Sequence, residues 1–397
     1  MNQDDVRLLG EKQAQLDVLI ESMTADCWIV FCREGSDPST PLYVGYPMVG
    51  ESAFFFSKSG EKIAIVANYD EAAVQETGVF DSVYAYKLEG IAERFREVYA
   101  QLSPKTIALN YSTEDFLADG LTYGLFRRLR ELSGDDQLED RVVSAESILS
   151  PLRAEKTPEE LRRIECAIDI TQRIFEEIAD FARPGMTEAE VGDFIHGRQV
   201  HYGTTAAFGD SAIVAAGYMG VGHRFPGPYE LRAGDVMIVD MGVTYQSYTS
   251  DFTRTFYFLR GAETVPPAPF QERFAAVRDA THAAIAAMKP GKLGWEIDKI
   301  ARDHIEACGL PAYANALGHQ IGRRGHDGGG LLSPLVPRYG DKGKVPLRAG
   351  NVYTVEPFLY GKTGDGSTPP IGLEEDVVVV EDGIHVLTDP QMEIICI

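Results

Sequence analysis

The chain has 397 residues, 44% hydrophobic and 24% charged, enough for two or three domains and too balanced for a disordered or fibrous protein. Acidic side chains number 60 against 37 basic ones, a formal net charge of −23, and 26 of the acids with 13 of the bases fall in the first 150 residues, so the surplus is spread along the chain. A field of that sign repels phosphate, which argues against nucleic acid or an anionic membrane as partner.

The N-terminus, MNQDDVRLLG, carries acids where a secretory leader needs positive charge, and no apolar run reaches the roughly 18 residues that span a bilayer. Cys27, Cys32, Cys166, Cys308 and Cys396 are odd in number and contain no CxxC pair. That excludes a zinc ribbon or disulfide framework and points to reducing cytoplasm. Residues 28–32 (WIVFC), 52–57 (SAFFFS) and 62–67 (KIAIVA) are predicted as buried strands, being short apolar runs bounded by turn residues. Residues 89–102 and 121–132 are predicted as amphipathic helices, with a further strand at 105–110. This first region is therefore α/β. It has no glycine-rich phosphate loop and no histidine, so the chemistry is expected later in the chain.

A boundary is expected near Ser150–Pro151, giving domains 1–152 and 153–397. Thr157-Pro158-Glu159-Glu160 then opens a helix with an N-cap, a proline at the first helical position and a capping-box glutamate. Beyond it the chain repeats a pattern. Arg183-Pro184-Gly185 precedes a helical stretch stopping at Gly203, and Lys289-Pro290-Gly291 precedes one stopping at Gly309. Within the copies Glu190 matches Glu296, Val191 matches Ile297 and Phe194 matches Ile300.

After the first copy, Asp240 interrupts the apolar strand VMIVDMGV, and Asp251 follows in TSDFTRTFYF. A hairpin centred on Tyr245-Gln246 would set Asp240 opposite Asp251 on one face, about 5 Å apart. Like charges so placed call for a cation between them. After the second copy, Glu356 interrupts VYTVEPFLY, and GLEEDVVVV offers Glu374, Glu375 and Asp376. A pseudo-twofold between the halves would bring four carboxylates together. His319, His223 and His326 lie in glycine-rich irregular segments, whereas His196, His201, His282, His304 and His385 fit helix surfaces, packing or a turn. Four carboxylates and an imidazole suit Mn²⁺, Co²⁺, Fe²⁺ or Zn²⁺, and four negative charges balance two divalent ions. Two such ions bridged by a hydroxide can polarise a carbonyl and attack it, which is amide or ester hydrolysis.

At these residues the sequence resembles the pita-bread metallopeptidases, the group of methionine aminopeptidase, aminopeptidase P, prolidase and the metal-free relative creatinase. The resemblance covers nearly the whole chain. It implies an N-terminal creatinase-like α/β domain followed by an α/β (α+β) pita-bread domain with pseudo-twofold symmetry, and a homodimer. It implies the metal ligands Asp240 (IVDMG), Asp251 (SDFTRT), His319 (LGHQIG), Glu356 (VEP) and Glu375 (EED), holding two divalent ions per subunit, with Mn²⁺ the leading choice. His223 and His326 would contact substrate around the scissile carbonyl, and Glu356 would carry a proton from the attacking water to the leaving amine. Thr253 and Arg254 would support the hairpin from behind.

Two-domain members of this length are similar to prolidases and aminopeptidases P. The leading expectation is thus an Xaa-Pro dipeptidase, with aminopeptidase P acting on Xaa-Pro-Yaa peptides as the alternative and a non-catalytic binding protein as a remote one. Three departures stand out. Many prolidases carry an arginine two residues before the last ligand glutamate, to grip the dipeptide carboxylate; counted from Glu375, that position is Leu373. Gln320 replaces a glycine after the ligand histidine, and Arg323-Arg324 replaces a small or acidic pair. Arg33 and Asp37, in the charged loop CREGSDP, are expected at the mouth of the site as a substitute grip.

Overall fold

A 20-residue helix, Gln3–Ser22, opens the chain on an Asn2 cap and buries Leu8, Leu9, Leu16 and Ile20 along one stripe. It was not among the predicted elements. The computed structural model describes residues 2–209, 211–217, 225–361 and 368–397, and its contacts separate two units, Met1–Arg153 and Ala154–Ile397.

In the first unit the strands Cys27–Cys32, Ser52–Ser57 and Lys62–Ala67 pair antiparallel at the centre of a six-stranded sheet. Ser82–Tyr86, Ile107–Leu109 and Val142–Ser144 extend it with parallel pairings. Both faces are covered. Trp28, Val30 and Cys32 pack with Leu16 and Ile20 on one side, while Ile29 and Phe31 pack with Phe95, Leu125 and Leu129 on the other. Burial on both faces makes WIVFC an uninterrupted apolar run. Asp37 is held inside its own unit. It is 3% exposed, and its carboxylate accepts hydrogen bonds from the Ser39 and Thr40 amides and from Asn110 Nδ2. It ties down the turn before the short helix Thr40–Tyr43. Arg33 is exposed.

Pro151 lies inside a helix, Glu146–Ala154, that ends the first unit. The second unit contains the repeat. Helices Pro158–Phe181 and Glu188–His201 make up its first copy, and Ala268–Ala287 and Gly294–Ala307 its second. The matched glutamates act alike. Glu190 accepts the Thr187 amide at 2.7 Å and Glu296 the Leu293 amide at 2.9 Å, each fixing the start of the second helix of its pair. Each helix pair leads into a strand hairpin. In the first, Val236–Met241 pairs with Phe252–Tyr257 within a four-stranded sheet that also holds Ile213–Ala216 and Ile395–Cys396. In the second, Val352–Val355 pairs with Glu375–Val380, followed by Gly383–Val386. A core of Val236, Ile238, Tyr257, Val277, Tyr353 and Val377, among others, packs the helices of the second copy against these strands. No helix among the described residues is long and apolar enough to cross a membrane.

A candidate metal centre in the second unit

The first hairpin turns one residue later than expected. Gln246 and Ser247 both take left-handed backbone, with φ of 45° and 69°, as a two-residue turn matched to strand twist requires. Thr253 therefore stands opposite Asp240, and Asp251 sits diagonally from Asp240 on the same face instead of across from it. A diagonal neighbour is still within reach of a shared ion. Asp251 is 5% exposed, and its amide donates to Asp376 Oδ2 at 3.1 Å.

His319 comes to the site on a segment laid along Val352–Val355. Its amide donates to Thr354 Oγ1 at 3.2 Å, and the Thr354 amide donates to its carbonyl at 2.9 Å. Gly318 permits this approach, because a Cβ there would stand 1.9 Å from the Thr354 carbonyl oxygen. His319 Nδ1 lies 3.3 Å from the Gln320 carbonyl. A carbonyl only accepts, so this bond puts the proton on Nδ1 and leaves the Nε2 lone pair for a ligand. Nε2 is 3.4 Å from Glu356 Oε1 and 3.7 Å from Asp251 Oδ2. The His326 ring stands edge-on to His319, centroids 4.1 Å apart. His223 lies outside the described residues. Asp240, Asp251, His319 and Glu356 are thus brought together, with His326 beside them.

Glu375 is not. It is fully buried on the opposite side of its strand, paired with Arg254 at 3.0 Å, and it accepts from the Gln391 amide and the Thr388 hydroxyl. Strand alternation gives the reason: Glu375 shares a face with Val377 and Val379, which are core. Its neighbour Glu374 faces the cluster. One ligand atom each of Asp251, His319 and Glu374 lies within 4.8 Å of the others, and Thr253 Oγ1 donates to Glu374 Oε2 at 2.8 Å. The expected residue Glu375 therefore lies outside the cluster, and Glu374 takes its place there. The run DVVVV gives no signal that separates the two, since four consecutive valines mark neither face of the strand. Counted from Glu374, the position two residues earlier is Gly372 rather than Leu373.

The electrostatics fit a cation. Burial and then Asp240, Asp376 and Glu356 hold the Asp251 carboxyl well above its ordinary range. Burial and then Asp251, Glu356 and Asp240 do the same to Glu374. Glu356 is pushed up to about 8 by burial and by Asp240. Acids that raise one another in this way lower their mutual repulsion when a positive ion enters. The set of oxygens with one imidazole nitrogen suits a divalent transition metal. Beside it a cleft opens, bordered by Asp240, Glu356, Thr253, Tyr313, Phe358 and Leu373 among others.

Residues 162–381 match the family model described as metallopeptidase family M24. The chain belongs to that family. It is 29% identical over 281 residues to an uncharacterised peptidase of Bacillus subtilis, covering 70% of this chain and 74% of that one. Its fold matches an X-Pro aminopeptidase from Thermotoga maritima with a TM-score of 0.75 and 25% identity, over 97% of this chain and 99% of that one. It also matches an Xaa-Pro dipeptidase from Bacillus anthracis with a TM-score of 0.79 and 22% identity, over 98% and 100%. As an M24 metallopeptidase the chain carries the pita-bread fold, and the paired helix–hairpin halves described above are its architecture.

Proposed function

We propose that this M24 chain is an exopeptidase that uses two divalent ions, Mn²⁺ foremost, to hydrolyse the peptide bond before proline. The observation that carries the reading is the cluster of Asp251, Glu356 and Glu374 with His319, and Asp240 beside Asp251 and Glu356 at the edge of an open cleft. These five residues would hold the ions, their four carboxylate charges balancing two divalent cations. Bound there, the metal would supply Lewis acidity toward the scissile carbonyl and an activated water. The chain's own groups do the rest. Glu356 borders the cleft, and 36% of its side chain is exposed; it is placed to take a proton from the attacking water and return it to the leaving nitrogen. His326 and, on sequence grounds, His223 orient the substrate carbonyl. Thr253 holds Glu374 in place through its hydroxyl.

Preference for proline is supported by the likeness to an X-Pro aminopeptidase at 25% identity, and a solved Xaa-Pro dipeptidase shares the fold. A bond before proline lacks the amide N–H and restricts the preceding residue, so it needs a dedicated site. The test is hydrolysis of Ala-Pro beside Ala-Pro-Ala, with Mn²⁺ and with a chelator. Metal-dependent release of the N-terminal alanine from either is expected. Turnover that survives the chelator, or equal cleavage of Ala-Ala-Ala, would refute the proposal.

A further inference from the structure

We infer that Lys156 and Asp327 are positioning residues, whose buried ion pair sets His326 against His319 and so orders the histidine side of the metal centre. The effect on rate rests on the exopeptidase reading; the placement of the two rings does not. Lys156 Nζ donates to Asp327 Oδ2 at 3.2 Å, and the two side chains are 0% and 1% exposed. Gly322 covers the pair so closely that a Cβ there would collide with Asp327 Oδ2 and Lys156 Cε. The lysine is also pinned by its own backbone. Its amide donates to the Gly350 carbonyl at 2.9 Å, and Thr157 after it caps the helix Pro158–Phe181.

Three segments that carry the acidic cluster meet at this pair. Gly350 stands two residues before the strand Val352–Val355, which runs into Glu356. The Gly322 carbonyl accepts the Thr249 amide at 2.7 Å, two residues before Asp251. The Asp327 amide donates to the Gln320 carbonyl at 2.9 Å, and His319 Nδ1 lies 3.3 Å from that same oxygen. Asp327 thereby closes the loop 321–326, which begins beside His319 and ends in His326, and the two rings meet edge-on with centroids 4.1 Å apart. His326 is itself exposed, and Asp327 is the buried residue that anchors it in the chain. A buried ion pair adds little net stability over apolar groups of the same volume, because both charges lose their water. What it enforces is one geometry. An apolar replacement fills the space but lets the Asp327 backbone slide, and a displacement of about 1 Å at a reacting group can cost about 100-fold in rate.

The test removes both charges and keeps the volume. Lys156→Met combined with Asp327→Leu is expected to melt within about 4 °C of wild type. In the chelated full chain, labelled at histidine, wild type is expected to show a nuclear Overhauser effect between the His319 and His326 rings, and the double variant to lose it. With Mn²⁺ bound, kcat/KM per metal-loaded chain on Ala-Pro-Ala is expected to fall by about 100-fold in the double variant. A folded double variant that keeps either the ring contact or the wild-type rate overturns the inference, because the pair is then structural alone. So does a wild type without the ring contact. If wild type cleaves neither Ala-Pro nor Ala-Pro-Ala, the exopeptidase reading falls and the ring contact decides by itself: its loss in the double variant supports the clamp, and its retention overturns it. If the double variant does not fold, Asp327→Asn decides by the same readouts, with a loss in rate of about tenfold expected.

Discussion

Glu374 and Glu375 are adjacent, identical in chemistry and turned to opposite faces of the chain, so exchanging each for glutamine is a sharp test of the site. Glu375 is fully buried against Arg254, itself 2% exposed. Glu375→Gln leaves that guanidinium without its counter-charge. Breaking a buried pair from one side costs about 3–5 kcal/mol, and the surviving amide oxygen keeps part of the hydrogen bonding, so about 3 kcal/mol is expected. In a domain of this size that lowers Tm by roughly 6–12 °C. Metal binding should persist, because Glu375 faces the core. Glu374→Gln does the reverse. Burial, and then crowding by Asp251, Glu356 and Asp240, already favours the neutral form of Glu374, so glutamine mimics the metal-free state and changes its stability by no more than about 0.5 kcal/mol. Loss of an anionic ligand should weaken metal binding by at least about 100-fold. The assays are thermal melts of chelated protein and metal content after dialysis. If Glu375→Gln loses metal with an unchanged metal-free Tm while Glu374→Gln retains it, the assignment is refuted.

Other outcomes follow from the same geometry. Glu188 is fully buried, and its two oxygens accept the amides of Ala216 and Gly227 at 2.7 and 3.1 Å. Glu188→Ala strands both donors and should cost about 2–4 kcal/mol; a melt within about 2 °C of wild type would contradict this. Glu159 is drawn down to about 2 from 4.5 by hydrogen bonds from Arg162 and Arg163, with burial opposing. Arg162 is partly exposed, so its share is discounted and about 2 kcal/mol is expected overall. A depressed carboxylate contributes fully above pH 4.5 and loses its contribution as pH falls toward 2. The stability gap between wild type and Glu159→Gln, measured on chelated protein, should therefore be widest near neutrality and close between those values; a gap constant from pH 7 to pH 3 would count against the pairing. Adding Mn²⁺ at a hundred times its Kd should raise stability by about 2.7 kcal/mol, and a Tm indifferent to Mn²⁺ would speak against a built site.

Much of this architecture is legible in the chain because its signals are local. The Pro-Gly turns, the capping glutamates Glu190 and Glu296 and the apolar runs each declare an element without reference to the rest of the fold. Asp240, Asp251 and Glu356 stand out because an acid inside an apolar strand is costly unless something compensates it. What the residues do not reveal depends on faces and registers. Helix Gln3–Ser22 hides its stripe among interleaved charges. Gln246-Ser247 lacks the Asn-Gly signature of its turn, so the hairpin is misplaced by one residue and the Asp240–Asp251 pair becomes diagonal. Between Glu374 and Glu375 the sequence is indifferent until Val377 and Val379 are known to face the core and Arg254 is known to be buried beneath them. Counting from Glu375 instead of Glu374 likewise names Leu373 rather than Gly372 as the position two residues earlier.

Anomalous scattering from Mn²⁺-soaked crystals at the manganese edge addresses the metal centre most directly. Two peaks are expected per chain, bounded by Asp240, Asp251, His319, Glu356 and Glu374. A chain with no peak among those five residues, or with a peak against Glu375 and Arg254, would contradict the proposed centre.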